Sequence, residues 1–490
     1  MLKLKKNFYS LVSILILVSS LLAACSNSAE EFSLRLTQTY EYSAEARETP
    51  TTGATDVQES PTATATRLPY LDIDPAKLDG ISIEFLHPWT GETALLVQGL
   101  VNDFNKHNEW GIHVDGESAG GSDVLLDILE TRLAANDMPD LVVLYPFQAQ
   151  RLEGDYYWLD ISKYIADPEW GLSEEELDDI PEVYLRQNQV GSGLLGFPAA
   201  ASATVLFYNR TWANELGFDT PPTTPEELKQ QVCAAASSNL QDKDFNNDGT
   251  GGLLIDRSPA AILSWIYAFG GQLPLENETL HFNTQAGLDS FGYVKSIYDE
   301  NGQLLRCAWL GRQPTPYDYF ATRYALVYGG KLEDITLQAQ ALLRAQNSDE
   351  WIVIPYPSPD GSGTLLVDGL SYVITVAEPE TQLAAWLFTR WMISSEVQRV
   401  FIEANGTWPV RLSTVELLQD YQQVYPQWDD LMDMLPEAYY GPLTAQWQLD
   451  RLVLEDAFWQ YLQGDADRLP DILELLDATI QELSEIYADE

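Results

Sequence analysis

Apolar residues recur along the chain with two different spacings, which predict strands and helices in alternation. Residues Ile81–Phe85 alternate between apolar and polar side chains, as in a half-buried strand. Leu96, Leu100 and Phe104 then recur every fourth residue, which is typical of a helix. A further apolar run, Leu141–Tyr145, contains no charge and predicts a buried strand.

The segment of residues 196–228 contains the sharpest local signals. Thr204–Tyr208 are five strand-favouring residues without a charge, and they predict another buried strand. Downstream, Thr224 is followed by Pro225 and by Glu227, so a hydroxyl, a first-turn proline and a carboxylate form a capping box. We therefore expect a helix to begin at about Pro225.

Length and charge limit the classes of protein that the chain can represent. With 490 residues, 45% of them hydrophobic, it is too long for one ordinary core, so two or more lobes are expected. The 27 basic residues against 74 acidic ones give a formal net charge of −47. Such a surface repels nucleic acid and anionic lipid headgroups, which excludes both as partners. The acids predict a solvated exterior, with a specific cation-binding role as the alternative.

The first residues have the features of an export signal. Lys3, Lys5 and Lys6 precede an apolar run that is too short to span a membrane, and small residues follow it. Residues 1–25 are therefore interpreted as a signal peptide. The sequence ending at Cys25 resembles the lipobox of bacterial lipoproteins, which implies a lipidated Cys25; ordinary cleavage that leaves a free Cys25 is the alternative. Residues 26–78, rich in Ser, Thr and Pro, are expected to form a disordered tether.

Once Cys25 is set aside, Cys233 and Cys307 remain. An even pair in an oxidising compartment predicts a disulfide, with two buried thiols as the alternative.

Several motifs, taken in order, resemble those of the family 1 extracellular solute-binding proteins of bacterial ABC transporters, the group that includes maltose-binding protein. The resemblance covers about residues 79–487. It rests on Pro139–Asp140 before a strand, on Gly196, Pro198, Phe207–Asn209, Gly217, Pro221–Pro222 and Glu227–Leu228, and on Gly406, Pro409 and Arg411. The chain departs from the family where Thr322–Arg323 replaces the usual Gly-Lys pair.

The resemblance implies an α/β fold of the periplasmic-binding-protein type II, with two lobes and a hinge between them. The expected N-terminal lobe comprises residues 79–200 and 324–366. The expected C-terminal lobe comprises residues 201–323 and 367–490.

The same resemblance implies that aromatic side chains line a ligand cleft, because ligands bind at the carboxyl ends of strands in open α/β sheets. For Trp89 and Trp265, packing in the core is the alternative. The expected ligand-binding residues are Trp89, Tyr145, Phe147, Trp265, Tyr328 and Trp408.

No catalytic motif stands out in the sequence. The four histidines form no metal-binding pattern, and a nucleophile elbow and a phosphate-binding loop are both missing, so neither an enzyme nor a cofactor is expected. The loop Asp244–Asp248 resembles the start of a calcium loop, but Ile255 stands where a bidentate acid is needed, so no metal site is predicted.

The expected function is capture of a small solute, foremost an oligosaccharide, by a monomer anchored outside the cytoplasmic membrane. An ABC transporter permease is the expected partner. The 14 Trp and 25 Tyr supply flat faces for sugar rings. Two alternatives remain at this point: an acidic glycoside hydrolase at the cell surface, and a protein that binds a polyamine or another non-sugar solute.

Overall fold

The structure, a computed structural model, describes residues 71–152, 157–272, 279–299, 306–311 and 316–488, with side chains up to residue 485. The expected signal peptide, Cys25 and residues 26–70 of the expected tether lie outside these residues. The tether prediction is wrong for residues 71–78, because they pack on the folded part. The backbone N–H of Leu71 donates to Asp167, and the Leu78 side chain is fully buried.

The strands of the described residues are β1 (Ser82–His87), β2 (His113–Ser118), β3 (Leu141–Leu144), β4 (Gln189–Val190), β5 (Gly193–Leu194), β6 (Phe197–Asn209), β7 (Gly251–Leu254), β8 (Ala308–Trp309), β9 (Ala325–Lys331), β10 (Trp351–Ile354), β11 (Leu366–Ile374) and β12 (Tyr439–Tyr440).

The α-helices are α1 (Gly91–His107), α2 (Ser122–Ala134), α3 (Pro146–Arg151), α4 (Ser162–Ile165), α5 (Glu174–Asp178), α6 (Glu182–Arg186), α7 (Arg210–Glu215), α8 (Pro225–Gln241), α9 (Pro259–Ala268), α10 (Gln285–Tyr298), α11 (Tyr317–Ala321), α12 (Ile335–Ala345), α13 (Pro379–Met392), α14 (Ser395–Asn405), α15 (Gln419–Val424), α16 (Trp447–Gln463) and α17 (Leu469–Ala488). Within the described ranges, no helix has both the length and the apolar character that crossing a bilayer requires.

One mixed sheet runs through the molecule, and β6 is its central element. The strand order is β2-β1-β3-β11-β6-β9-β7-β8, with β10 also paired to β6 and β12 to β11. The first half of β6 pairs with β11, whereas its second half pairs with β9 and β10. All 13 residues of β6 are buried, since small residues in its first half allow close packing and apolar residues fill its second half.

The strand pairing and helix packing assign two later segments to other lobes than those predicted from the sequence. Residues 324–366 were expected in the N-terminal lobe, but β9 and β10 pair with the second half of β6, and β9 also pairs with β7. In the opposite sense, α13 lies in the range 367–490 yet packs on β1 and α1, because the Phe388 ring contacts Phe85 and Phe104. Both assignments are therefore corrected.

Separate apolar cores support the two ends of the sheet. One packs α2 against β1 and β3 through residues such as Leu125, Leu129 and Val142. A larger one packs helices α8, α9, α10, α16 and α17 on the other end of the sheet. In this second core, Cys233 of α8 and Cys307 beside β8 form a disulfide that closes a loop with a sequence separation of 74.

Asp450 is an acidic residue inside this second core, where 1% of its surface is exposed. Its carboxylate accepts one hydrogen bond from the side-chain amide of Gln446 at 3.0 Å. Burial raises the pKa of Asp450 from 3.8 to about 6, because the charged form loses its hydration.

We expect Asp450→Asn to stabilise the protein at neutral pH. Between pH 4 and 6 the folded state holds a proton that the unfolded chain has lost, so stability falls as the pH rises. The difference in pKa corresponds to a cost of about 2–3 kcal/mol above pH 7. Denaturant unfolding at pH 4.5 and 7.5 should show a clearly larger gain for the variant at the higher pH. The exposed Asp471→Asn is the control, and an equal pH slope in Asp450→Asn and wild type would contradict this.

Candidate functional site

The six predicted ligand-binding residues divide into two groups by exposure. Trp89, Tyr145 and Phe147 are half-buried and follow the carboxyl ends of β1 and β3. Trp265, Tyr328 and Trp408 have 4% or less of their surface exposed. The prediction is therefore corrected for the second group, because a ring packed within the core has no free face for a solute.

The contacts of the three buried rings explain their burial. Tyr328 stacks on Phe207 with ring centroids 4.5 Å apart. Trp265 meets the Tyr356 ring edge-on at 4.8 Å. The Trp408 indole N–H donates to the backbone carbonyl of Trp428 at 2.7 Å, and the Trp408 backbone N–H donates to the carbonyl of Ala201.

Trp89 lies just beyond β1 and leans on α14. Its ring centroid is 5.1 Å from that of Phe401 and 5.2 Å from that of His87. Burial lowers the pKa of His87 to about 4, so this imidazole is neutral at physiological pH. Part of the Trp89 ring therefore packs against Phe401 and His87, and the rest is exposed at the end of β1.

A polar group lies where the sheet passes from one half to the other. In the strand register, Ser202 of β6 is opposite Asp368 of β11, and Thr204 of β6 is opposite Lys331 of β9. Residues 202 and 204 share one face of β6, and paired residues project from the same face, so Ser202, Asp368 and Lys331 lie side by side.

These side chains contact one another directly. Lys331 Nζ lies 3.0 Å from Asp368 Oδ2, and Ser202 Oγ donates to the carboxylate of Glu333, which follows β9. We call Tyr145, Ser202, Lys331, Glu333 and Asp368 the mid-sheet cluster. About a third of the Lys331 and Asp368 side chains stays exposed, at 37% and 30%, so a solute can reach them.

The charges of the cluster are strongly coupled. Burial alone would lower the pKa of Lys331, but Asp368, Tyr145 and Glu333 together raise it well above its usual range. Burial raises the pKa of Glu333, and Lys331 opposes that shift. For Tyr145, the nearby Lys331 acts to lower the pKa, but burial and the charges of Asp368 and Glu333 raise it overall. The cluster therefore presents one ammonium, two carboxyls and two hydroxyls.

Phe147 connects the two halves of the molecule beside this cluster. Its ring stacks on Tyr145 at 5.6 Å with an interplanar angle of 16°. The Arg451 guanidinium of α16 lies 5.4 Å from the Phe147 ring centroid and 3.4 Å from Asp123 at the start of α2. Tyr145 and Arg451 both pack against the Phe147 ring. We therefore interpret Phe147 as a residue that holds the Tyr145 ring in position.

No motif in the sequence points directly to Ser202, Lys331, Glu333, Asp368 or Arg451. Each is an ordinary polar residue, and the first four meet only through the register of β6 with its neighbours. The available signal was that Lys331 ends β9 and Asp368 lies near the start of β11, close to the expected crossing between lobes.

A metal site is not found among the described residues, where no group of three or more His, Cys, Asp or Glu side chains could hold an ion. In the loop that resembled a calcium site, Asp244 accepts the backbone N–H and the side-chain amide of Asn246. The Asp244 carboxylate is therefore engaged in hydrogen bonds within the loop itself. The arrangement of the mid-sheet cluster suits recognition of hydroxyl groups beside an aromatic ring.

Comparison with known proteins identifies the family of the chain. The family model described as bacterial extracellular solute-binding protein matches residues 99–429. The multiple sugar-binding protein of Streptococcus mutans is 26% identical over 158 residues, which are 31% of this chain and 34% of that protein. The chain thus aligns with about a third of that relative's length.

Solved structures show the same fold. The cyclic alpha-maltosyl-1,6-maltose binding protein from Arthrobacter globiformis matches with a TM-score of 0.68 at 17% identity, over 82% of this chain and 98% of that one. The sugar-binding protein MalE from Xanthomonas citri matches with a TM-score of 0.67 at 20% identity, over 84% of this chain and all of that one.

At such identities these structures establish the two-lobed α/β fold and leave the ligand open. The family match covers more than half of the chain. The chain therefore belongs to the bacterial extracellular solute-binding proteins, a family that acts outside the cytoplasm.

Proposed function

We propose that the protein captures a carbohydrate, foremost an oligosaccharide, between its two lobes and delivers it to an ABC transporter permease. The observation that carries the proposal is the mid-sheet cluster, which places carboxyls, an ammonium and hydroxyls beside the Tyr145 ring. Sugars present hydroxyls to such polar groups and C–H surfaces to aromatic rings. The sugar-binding names of the similar proteins support the same ligand class.

In the proposed mechanism each residue has a separate task. Tyr145 stacks on one sugar ring, while Asp368 and Glu333 accept hydrogen bonds from hydroxyls and Lys331 donates to a sugar oxygen. Trp89, at the end of β1, extends the aromatic surface for a longer ligand. Contacts from both lobes then favour the closed form, which the permease recognises.

We also infer the lobe composition and the cellular setting. The first lobe comprises residues 79–200 and 367–405, and the second comprises residues 201–366 and 418–490, as the strand pairing and helix packing support. A lipidated Cys25 with a tether before residue 71 would hold a monomer at the outer face of the membrane.

Replacing Tyr145 by Ala, or Asp368 by Asn, is expected to weaken sugar binding about 10–100-fold. The first change removes the stacking face and the second removes a charged acceptor. Calorimetric titration with maltose, maltotriose, cellotriose and xylotriose would measure the effect. The exposed Asp178→Asn serves as the control and should bind like wild type. Unchanged affinity in both cluster variants would place the ligand elsewhere.

A cationic solute is the second candidate, because the cluster holds two carboxyls against one ammonium. Titration with spermidine and putrescine separates the two. Binding of an amine with no response to any sugar would favour the second candidate. We further propose binding without turnover, so chromogenic glycosides should release no product.

A further inference from the structure

A pocket of about 340 Å3 lies on the first lobe, away from the mid-sheet cluster. We call it the outer pocket; its lining includes Trp110, Glu176, Arg390, Trp391, Glu396 and Arg411. Trp110 precedes β2, at the amino end of that strand, whereas Tyr145 follows the carboxyl end of β3. Because β1 pairs in parallel with both β2 and β3, the two sites lie at opposite ends of these strands.

Arg411 is the least satisfied polar group of this pocket. Only 7% of the residue is exposed, and its guanidinium donates no hydrogen bond to any residue that the structure describes. The nearest carboxylates are Glu176 at 3.7 Å and Asp179 at 3.8 Å, both beyond hydrogen-bond length. A buried donor without an acceptor is costly, so a ligand that supplies an oxygen would be favoured there.

Two indole rings contribute to the same lining. Trp391 leans on Phe104 and Phe388, with ring centroids 5.4 Å and 6.2 Å away, and it remains half-buried. Trp110, in the loop between α1 and β2, is also half-buried. Half-buried indoles provide flat surfaces for C–H groups, and the ring contacts of Trp391 hold one of these two surfaces in place.

The charges of the lining favour a neutral ligand. Arg390 and Arg411 are balanced by Glu176 and Glu396, and Arg390 already lies 3.3 Å from Glu176. A phosphate or another dianion would be repelled by the two glutamates, and an amine by the two arginines. A molecule with many hydroxyls can use both donors and acceptors at once, as these side chains require.

We propose that the outer pocket is a second carbohydrate site, which binds one sugar unit of a glycan on the outside of the first lobe. Arg411 and Arg390 donate to ring or hydroxyl oxygens, Glu396 accepts from a hydroxyl, and Trp110 and Trp391 cover the apolar face. This site is independent of the ligand that binds between the lobes.

The test uses fluorine NMR of the detergent-solubilised full chain labelled with 5-fluorotryptophan, in a Tyr145→Ala/Asp368→Asn background that weakens the mid-sheet cluster. Trp110→Phe and Trp391→Phe assign the two signals. Addition of maltotriose, cellotriose and xylotriose up to tens of millimolar should shift both signals saturably for at least one sugar, with a Kd of about 1 mM or below. The signal of Trp459, whose ring is covered by Arg257, should stay in place.

Two variants test whether the fluorine shifts arise from sugar binding in the outer pocket. Arg411→Met should abolish them, and Glu396→Gln, at an exposed position, should weaken them about 3–10-fold while the fold is retained. The proposal is overturned if no sugar gives a saturable shift, if acetate or phosphate gives one instead, or if Glu396→Gln leaves the affinity unchanged. Arg411 and Glu396 line the outer pocket and are not part of the mid-sheet cluster, so an effect of these two variants assigns the shifts to the outer pocket whether or not sugar binds between the lobes.

Discussion

Replacing Trp408 by Ala is expected to lower the free energy of unfolding by about 3–5 kcal/mol, the cost of emptying the site of a large buried ring. Its indole has no exposed surface and donates to the Trp428 carbonyl. The Trp428 indole in turn donates to the carbonyls of Gly406 and Thr407, so the two rings hold this loop together. Denaturant unfolding of the ligand-free protein measures the change.

Two controls separate a core role for Trp408 from a ligand-binding one. Trp408→Phe should cost less than Trp408→Ala, since most of the buried volume remains. Trp89→Ala, at a half-buried site, should affect sugar affinity more than unfolding. If Trp408→Ala kept wild-type stability and lost sugar binding at a temperature where it is folded, its placement in the core would be contradicted.

Replacing Cys233 and Cys307 together by Ala is expected to lower the free energy of unfolding by about 4 kcal/mol in the chain-entropy model. The bridge closes a long loop, with a sequence separation of 74 residues, and joins α8 to the residue directly before β8. Without it the unfolded chain gains conformational freedom, while the native contacts of this core remain.

Thermal and denaturant unfolding with and without dithiothreitol would test this second prediction. Reductant should bring the wild type close to the double variant and should leave the variant unchanged. A wild type that unfolds at the same denaturant concentration in both conditions would show that the bridge contributes little.

The local elements were largely predictable from the sequence, because their signals are local. The capping box at Thr224 is present: its hydroxyl accepts the Glu227 backbone N–H, and α8 begins at Pro225. The strand predicted at residues 204–208 exists, but β6 extends back to Phe197. The small residues before Thr204 gave no strand signal, because their extended conformation depends on pairing with β11.

The candidate site was less predictable, because it depends on contacts between distant segments. Tyr145 was found through its position after a strand, whereas Lys331 and Asp368 meet only through the register with β6. Likewise, Trp89 and Trp408 look alike in sequence as aromatic residues in loops. The packing of Trp408 against Trp428 and Ala201 decides which of them is buried.

The unbroken course of β6 limits how the two lobes can move. A residue with a side chain at position 369 would place its Cβ 2.3 Å from the Ala200 carbonyl oxygen. The strands β6 and β11 can therefore approach this closely only because residue 369 is a glycine. Since hydrogen bonds hold β6 to β11 on one side and to β9 on the other, the lobes cannot slide past each other. Opening therefore has to proceed by torsion within these connecting strands and within residues 406–417, where the Trp408 backbone N–H donates to Ala201, and this limits the directions in which the gap between the lobes can widen.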